Sequence, residues 1–250
     1  MSSSILMNIR DRIKQNKGED PRLQFRGDSG ARINNMTDAV FGIAITLLIF
    51  NQENPNSFES LLRFTQTLPA LLLSIGFIIL IWREHVSFSR VYSFQDTWLM
   101  VLNTCFIGLV IFYVYPLRFL TVFLTNFFFG SEVAIDLNAS DVPKLMIYYG
   151  LIVAALYCIL YLLHFRAARL KESFELNAFE QFYTRYQMKR MFIMLSVPLA
   201  SVIVAASLQN YSPALAGILG GLCYNLYIPA MMIWSRRFKA KSEAISNPSL

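Results

Sequence analysis

Arg32-Ile-Asn-Asn-Met-Thr-Asp38-Ala-Val-Phe-Gly-Ile43-Ala-Ile-Thr46-Leu47-Leu-Ile-Phe50 opens polar and then runs from Ala39 to Phe50 without a charge. Five further apolar runs follow it, and together they read as spans at about 33–51, 59–82, 97–117, 145–165, 190–208 and 213–235. Each approaches the roughly twenty residues that a helix needs to cross about 30 Å of hydrocarbon. An open strand in lipid would leave backbone amides unpaired at a cost of several kcal/mol each, so all six are expected to be helices. Composition agrees: 55% of the 250 residues are hydrophobic and 15% charged, against roughly 25% charged in a soluble domain. The expected fold class is all-α integral membrane, with six transmembrane helices. Pro69, Pro116, Pro198 and Pro229 fall within or at the ends of four spans, where membrane helices tolerate kinks.

Lys and Arg set the orientation, because cytoplasmic loops carry the excess. With both termini inside, 19 of the 22 basic residues are cytoplasmic, and only Arg63, Arg118 and Lys144 face out. The domains follow: a cytoplasmic extension over 1–32, a membrane domain over 33–235 and a cytoplasmic tail over 236–250. Residues 1–32 hold no apolar stretch or small-residue cleavage site, so they do not read as a secretory signal. The expected location is the cell membrane. The net charge of +6 follows the loops and does not gather on one exposed face, which argues against a nucleic-acid partner. The outer segment from Phe119 to Pro143, aromatic and then acidic, is expected to cap the outer face or re-enter the interface. The inner segment from Arg166 to Arg190 reads as helical extensions of spans four and five, or as a solvated connector.

Ionisable groups at mid-membrane are costly and usually functional. Here Asp38, Arg63, His85, Arg118 and His164 all fall near span ends. Carboxylates or histidines deep in the bundle would suit a proton-coupled transporter, and Arg at every third position a voltage sensor; neither pattern occurs. The two histidines are far apart, and no HExxH, GxSxG or paired-carboxylate pattern is present, so neither an enzyme nor a cofactor is expected. Cys105, Cys158 and Cys223 lie singly in apolar runs and read as buried packing thiols, with no metal site. No internal repeat marks the inverted architecture of many carriers.

Within the first span, Ile43, Leu47 and Phe50 occupy i, i+4 and i+7, one helical stripe with Thr46 beside it. Several copies around an axis would stack apolar rings that gate by expelling water, with hydroxyls offering a cation partial replacement for its hydration. Any apolar helix contains such a stripe, so spacing alone leaves ordinary packing open. Asp38 lies five residues before Ile43, about 140° around the helix, and is expected to face neighbouring helices. Arg32, Trp82 and His85 fall at the same depth, which allows a polar latch among Asp38, Trp82 and His85, or independent anchoring by Trp and His at the interface. Gly217 and Gly221, spaced by four, offer a close helix contact in span six.

These residues resemble the transmembrane protein 175 (lysosomal potassium channel) family in its short prokaryotic form. That family opens its first span with Arg, three residues and Phe-Ser-Asp, then a stretch like Phe-Ala-Ile-Ala-Ile-Thr-Leu-Leu. Here Arg32 is followed by Met36-Thr37-Asp38 and by Phe41-Gly42-Ile43-Ala44-Ile45-Thr46-Leu47-Leu48. Trp82 and His85 match the end of the family's second span, and Leu102-Asn103 with Pro116 its third. Met36 and Thr37 depart from the usual Phe and Ser; Thr37 keeps a hydroxyl, while Met36 loses an aromatic contact. The resemblance implies a potassium-permeable cation channel, a homotetramer whose first helices line a central pore. It also implies that Ile43, Leu47 and Phe50 form the hydrophobic constriction, that Thr46 is the selectivity hydroxyl, and that Arg32, Thr37, Asp38, Trp82, His85 and Asn103 form a structural motif. Phe50 is bulkier than the family's aliphatic residue there. The Thr-Val-Gly-Tyr-Gly filter is missing, so modest selectivity based on side chains is expected. K+ is the implied permeant ion, and the bilayer and sister subunits are the implied partners. An ion-coupled secondary transporter is the alternative.

Overall fold

The computed structural model describes residue 23 and residues 31–50, 55–92, 94, 96–130 and 136–246. Among these residues all regular structure is helical: α1 (Ala31–Phe50), α2 (Phe58–Gln66), α3 (Leu68–Val91), α4 (Thr97–Phe129), α5 (Val142–Arg169), α6 (Ala178–Leu208), α7 (Pro213–Leu222) and α8 (Tyr227–Ser246). Short 3-10 turns lie at Ala139–Asp141 and Cys223–Leu226. Five helical segments, 58–91, 97–129, 139–169, 178–208 and 213–243, are long and apolar enough to cross a membrane. Their outward faces carry Leu72, Leu80, Phe112, Ile203, Ile218 and Ile228, all more than half exposed in the single chain. Lipid is the solvent that such a surface requires. The chain is an all-α, multi-pass membrane protein.

Local chemistry sets the helix ends. Ser57 and Ser60 form a capping box for α2, and Asn177 with Glu180 forms one for α6. The Asp96 carboxylate accepts from the Trp98 and Leu99 amides at the start of α4. Gly130, at φ 64°, closes that helix in the left-handed conformation that glycine adopts without strain.

Several expected boundaries move. Span two is broken at Thr67, with Pro69 in the first turn of α3, where its missing N–H costs nothing. Helix α4 does not end near Pro116: it runs on to Phe129, so Phe119–Phe129 continues the helix. Arg118 therefore stands well inside a helix and not at its end. The Pro116 carbonyl accepts the Tyr149 hydroxyl from α5, which ties the two helices together at the proline. The 166–190 segment is helical at both ends, around a turn in which Phe174 and Leu176 are buried and Glu175 takes φ 48°. Span six is interrupted by the turn at 223–226, ahead of Pro229. The thiols are not core groups: Cys105 is exposed, and Cys158 and Cys223 are half-buried.

α1 packs only against α3 and α4 among the described helices, and α5 packs most extensively against α6. Gly150 admits α6 close to α5: a Cβ there would meet Val202 Cγ2 at 2.5 Å and the Pro198 carbonyl at 3.2 Å. Gly217 gives α7 its close contact with Val142, at 2.9 Å by the same measure, whereas Gly221 has only ordinary space around it.

Candidate functional site

α1 divides into two faces. Thr37, Phe41, Ala44 and Leu48, at i, i+4, i+7 and i+11, are buried against α3 and α4. On the other side Met36, Ile43 and Leu47 are 53%, 57% and 37% exposed, and Thr46 is exposed beside them. The Phe50 side chain lies outside the described residues. Thr46 donates its hydroxyl proton to the Gly42 carbonyl at 2.8 Å. With the proton tied back along the helix, the lone pairs of Oγ1 remain for a cation.

The N-terminal half of α1 is held by two separate sets of bonds. In the first, Trp82 Nε1–H donates to Asp38 Oδ1 at 2.8 Å; the carboxylate is exposed and not buried. In the second, Thr37 Oγ1–H donates to the Ile33 carbonyl at 2.9 Å, which leaves Oγ1 to accept from Asn103 Nδ2 at 3.1 Å. Asn103 Oδ1 then faces His85 Nε2 at 2.6 Å. Each donor fixes the next, so the chain runs His85 to Asn103 to Thr37 to Ile33 and requires the Nε2–H tautomer of His85. His85 thus joins the latch through Asn103 and Thr37 and not through Asp38. Arg32 is exposed and lies outside both sets.

The His85 ring is stacked between Phe94, at 5.6 Å, and Phe106, at 5.2 Å, both within 11° of parallel, and Phe41 of α1 stands 6.3 Å away. His85 is 1% exposed, and its Nδ1 has no hydrogen-bond partner. Phe94 and Phe106 were missed from sequence, although a histidine without a local partner is the signal that something must enclose it.

Two ion pairs were missed as well. Arg190 of α6 pairs with Glu84 of α3, and Arg166 of α5 forks onto Asp96 at 2.7 and 3.0 Å. Glu84 lies within the Trp82–His85 motif and Asp96 caps the start of α4, and the run of basic residues from Arg166 to Arg190 was the available clue. The described residues include no gathering of three metal-ligand side chains.

Residues 32–114, which carry both sides of this site, match the family described as the endosomal/lysosomal potassium channel TMEM175. A protein of Marivirga tractuosa named "Potassium channel" is 33% identical over 236 residues, covering 91% of this chain and 95% of that one. The chain belongs to the TMEM175 family. The fold is similar to that of the potassium channel MtTMEM175, crystallised as a threonine-to-alanine variant with a nanobody-MBP fusion protein. The TM-score there is 0.79 at 31% identity, over 89% of this chain and 99% of the other. A lysosomal potassium-selective TMEM175 homolog from Chamaesiphon minutus shares the fold at TM-score 0.53 and 21% identity, over 83% and 98%. TMEM175 proteins are channels, which places this chain outside the enzymes.

Proposed function

We propose that the chain is a potassium-permeable channel of four identical subunits, in which α1 of each subunit is a sixth crossing and lines a central pore. The observation that carries this reading is the two-faced α1: one stripe is fixed in the bundle, while Ile43, Leu47 and Thr46 are left without cover inside a single chain. At 1.5 Å per residue its 20 residues reach about 30 Å, enough to cross. One pore helix per subunit suits a closed fourfold ring.

In this arrangement Ile43 and Leu47 form apolar rings that resist wetting, with Phe50 as the further constriction. Thr46 turns acceptor oxygens toward the ion. Thr37 and Asp38, held through Asn103, His85 and Trp82, fix the inner end of the helix, with Arg32 at its edge. K+ is the permeant ion, and no bound cofactor is required. The basic-residue bias puts both termini in the cytoplasm of a cell-membrane protein, with 1–32 and 236–250 as cytoplasmic segments around a 33–235 channel domain. Family membership disfavours the coupled-carrier alternative.

Ile43→Asn tests the reading in liposomes. A wetted constriction raises or deregulates the K+ current, and an unchanged current removes Ile43 from the gate.

A further inference from the structure

We propose that an anionic phospholipid of the cytoplasmic leaflet occupies a groove of about 710 Å³ at the inner end of α5, α6 and α8, its phosphate held by Arg185, Lys189 and Lys241. The assignment of leaflet rests on the topology proposed above. The volume falls within the roughly 300–1,000 Å³ of small-molecule sites.

The floor of the groove is aromatic: Tyr161 from α5 with Phe182 and Phe192 from α6. The Tyr161 and Phe192 rings are 6.4 Å apart, and Phe192 is 58% exposed. The rim is cationic. Arg185 and Lys189 are one turn apart on α6, and Lys241 reaches in from α8. Among the described residues none of the three is ion-paired. Arg185 Nε donates to the Gln181 carbonyl at 3.3 Å, and the Lys189 ammonium rests 5.3 Å from the centre of the Tyr186 ring. Their neighbour Arg190, by contrast, is neutralised by Glu84.

α6 changes character inside the groove, from the charged Ala178–Arg190 stretch to the apolar run that begins at Met191. That change sets the groove at the level where headgroups meet acyl chains. A free phosphate would satisfy the rim and leave the floor wet; an acyl chain alone would cover the floor and leave three cations unanswered. A phospholipid meets both. A zwitterionic headgroup brings its own ammonium toward the same cations, so a net negative lipid is favoured. Because α5, α6 and α8 make no contact with α1, the groove lies away from the face assigned to the pore.

The test is native mass spectrometry of the full-length protein after incubation with equal phosphatidylglycerol and phosphatidylcholine. Preferential retention of phosphatidylglycerol is expected, falling about tenfold or more in R185A/K189A/K241A. A matched variant, R236A/R237A/K239A, removes the same charge outside the groove and retains the preference; equal losses in both variants mean diffuse attraction and overturn the site. Displacement of phosphatidylglycerol by millimolar inorganic phosphate also overturns it, in favour of a free-anion site. If the triple variant does not fold, Lys241→Glu on exposed α8 is read instead, with an expected loss of about fivefold, and full retention refutes the proposal. Wild-type K+ flux in pure phosphatidylcholine vesicles reports on the channel reading separately. Absent flux with intact lipid retention fails the channel, and intact flux without lipid preference fails the groove.

Discussion

Asn103→Leu is expected to destabilise the protein by about 2–4 kcal/mol. Asn103 is 1% exposed and bridges His85, at 2.6 Å, to Thr37, at 3.1 Å. Interhelical hydrogen bonds in membranes average only about 0.6 kcal/mol, so the lost bond to Thr37, whose own proton remains on Ile33, is the smaller part. The larger part is the His85 Nε2–H, left without an acceptor between two phenyl rings; an orphaned buried donor costs about 1–3 kcal/mol. His85→Phe alone strands the Asn103 carbonyl in the same way and costs a similar amount, although a phenyl ring fits the Phe94–Phe106 stack. The double variant removes both members of the pair and leaves no orphan between them. Both orphan penalties are then absent, so it is expected to cost about 2–6 kcal/mol less than the two single changes together. Unfolding midpoints of the four proteins in one detergent, followed by tryptophan fluorescence, measure the cycle. Additivity within about 0.5 kcal/mol would mean that His85 and Asn103 do not act as a bonded pair, and the directional chain from His85 to Ile33 would fall with it.

Asp96→Asn keeps a competent helix cap but loses the charge that meets Arg166. The Arg166 hydrogen bond, aided by the Leu99 and Trp98 amides, holds the Asp96 carboxyl below its ordinary 3.8 against the opposing effect of burial. A depressed carboxylate stabilises the fold above its unfolded value and loses that contribution as pH falls through the folded one. The variant should thus melt lower than wild type at pH 7, with the gap closing below pH 3.8; a gap independent of pH contradicts the ion pair. Gly150→Ala drives a methyl into Val202 and should cost about 1–3 kcal/mol by overpacking. Gly108→Ala, with open space around its Cβ position, should be neutral or slightly stabilising by the same thermal measurement. Thr46→Val keeps the shape and removes the oxygen, so reversal potentials under K+/Na+ gradients should shift toward weaker K+ preference; identical potentials would exclude Thr46 from ion selection.

The helical character of the chain was legible because lipid permits few backbone solutions, and the apolar runs are long enough to decide the matter. Helix ends were less legible, for a physical reason that α4 illustrates. Hydropathy reports where lipid stops, but Phe119–Phe129 continues as helix because nothing in it breaks the ladder before Gly130. Period alone put Ile43 and Leu47 on one stripe of α1 but left open whether that stripe packs; burial of Phe41, Ala44 and Leu48 on the opposite side decides it. The partners of His85 did not follow, since Phe94, Asn103 and Phe106 come from a turn and a different helix. Spacing within one segment carries no information about what a neighbouring helix brings. Arg190 and Glu84 stand 106 residues apart in the chain, and only tertiary packing pairs them.

The polar bonds in the N-terminal half of α1 do something that its apolar contacts cannot. Between helices in lipid there is little hydrophobic gain from hiding a leucine, because the acyl chains are as apolar as the core. Phe41, Ala44 and Leu48 therefore set how closely α1 lies against α3 and α4, but they specify its rotation weakly. A slip of one residue turns a helix by about 100° and would carry Ile43 away from the exposed side. Hydrogen bonds are directional, and the two sets here leave adjacent positions of the same turn: Thr37 toward Asn103 of α4, and Asp38 toward Trp82 of α3. Two bonds from neighbouring residues to two different helices admit a single rotational setting. That setting is the one in which Ile43, Leu47 and Thr46 remain clear of the bundle.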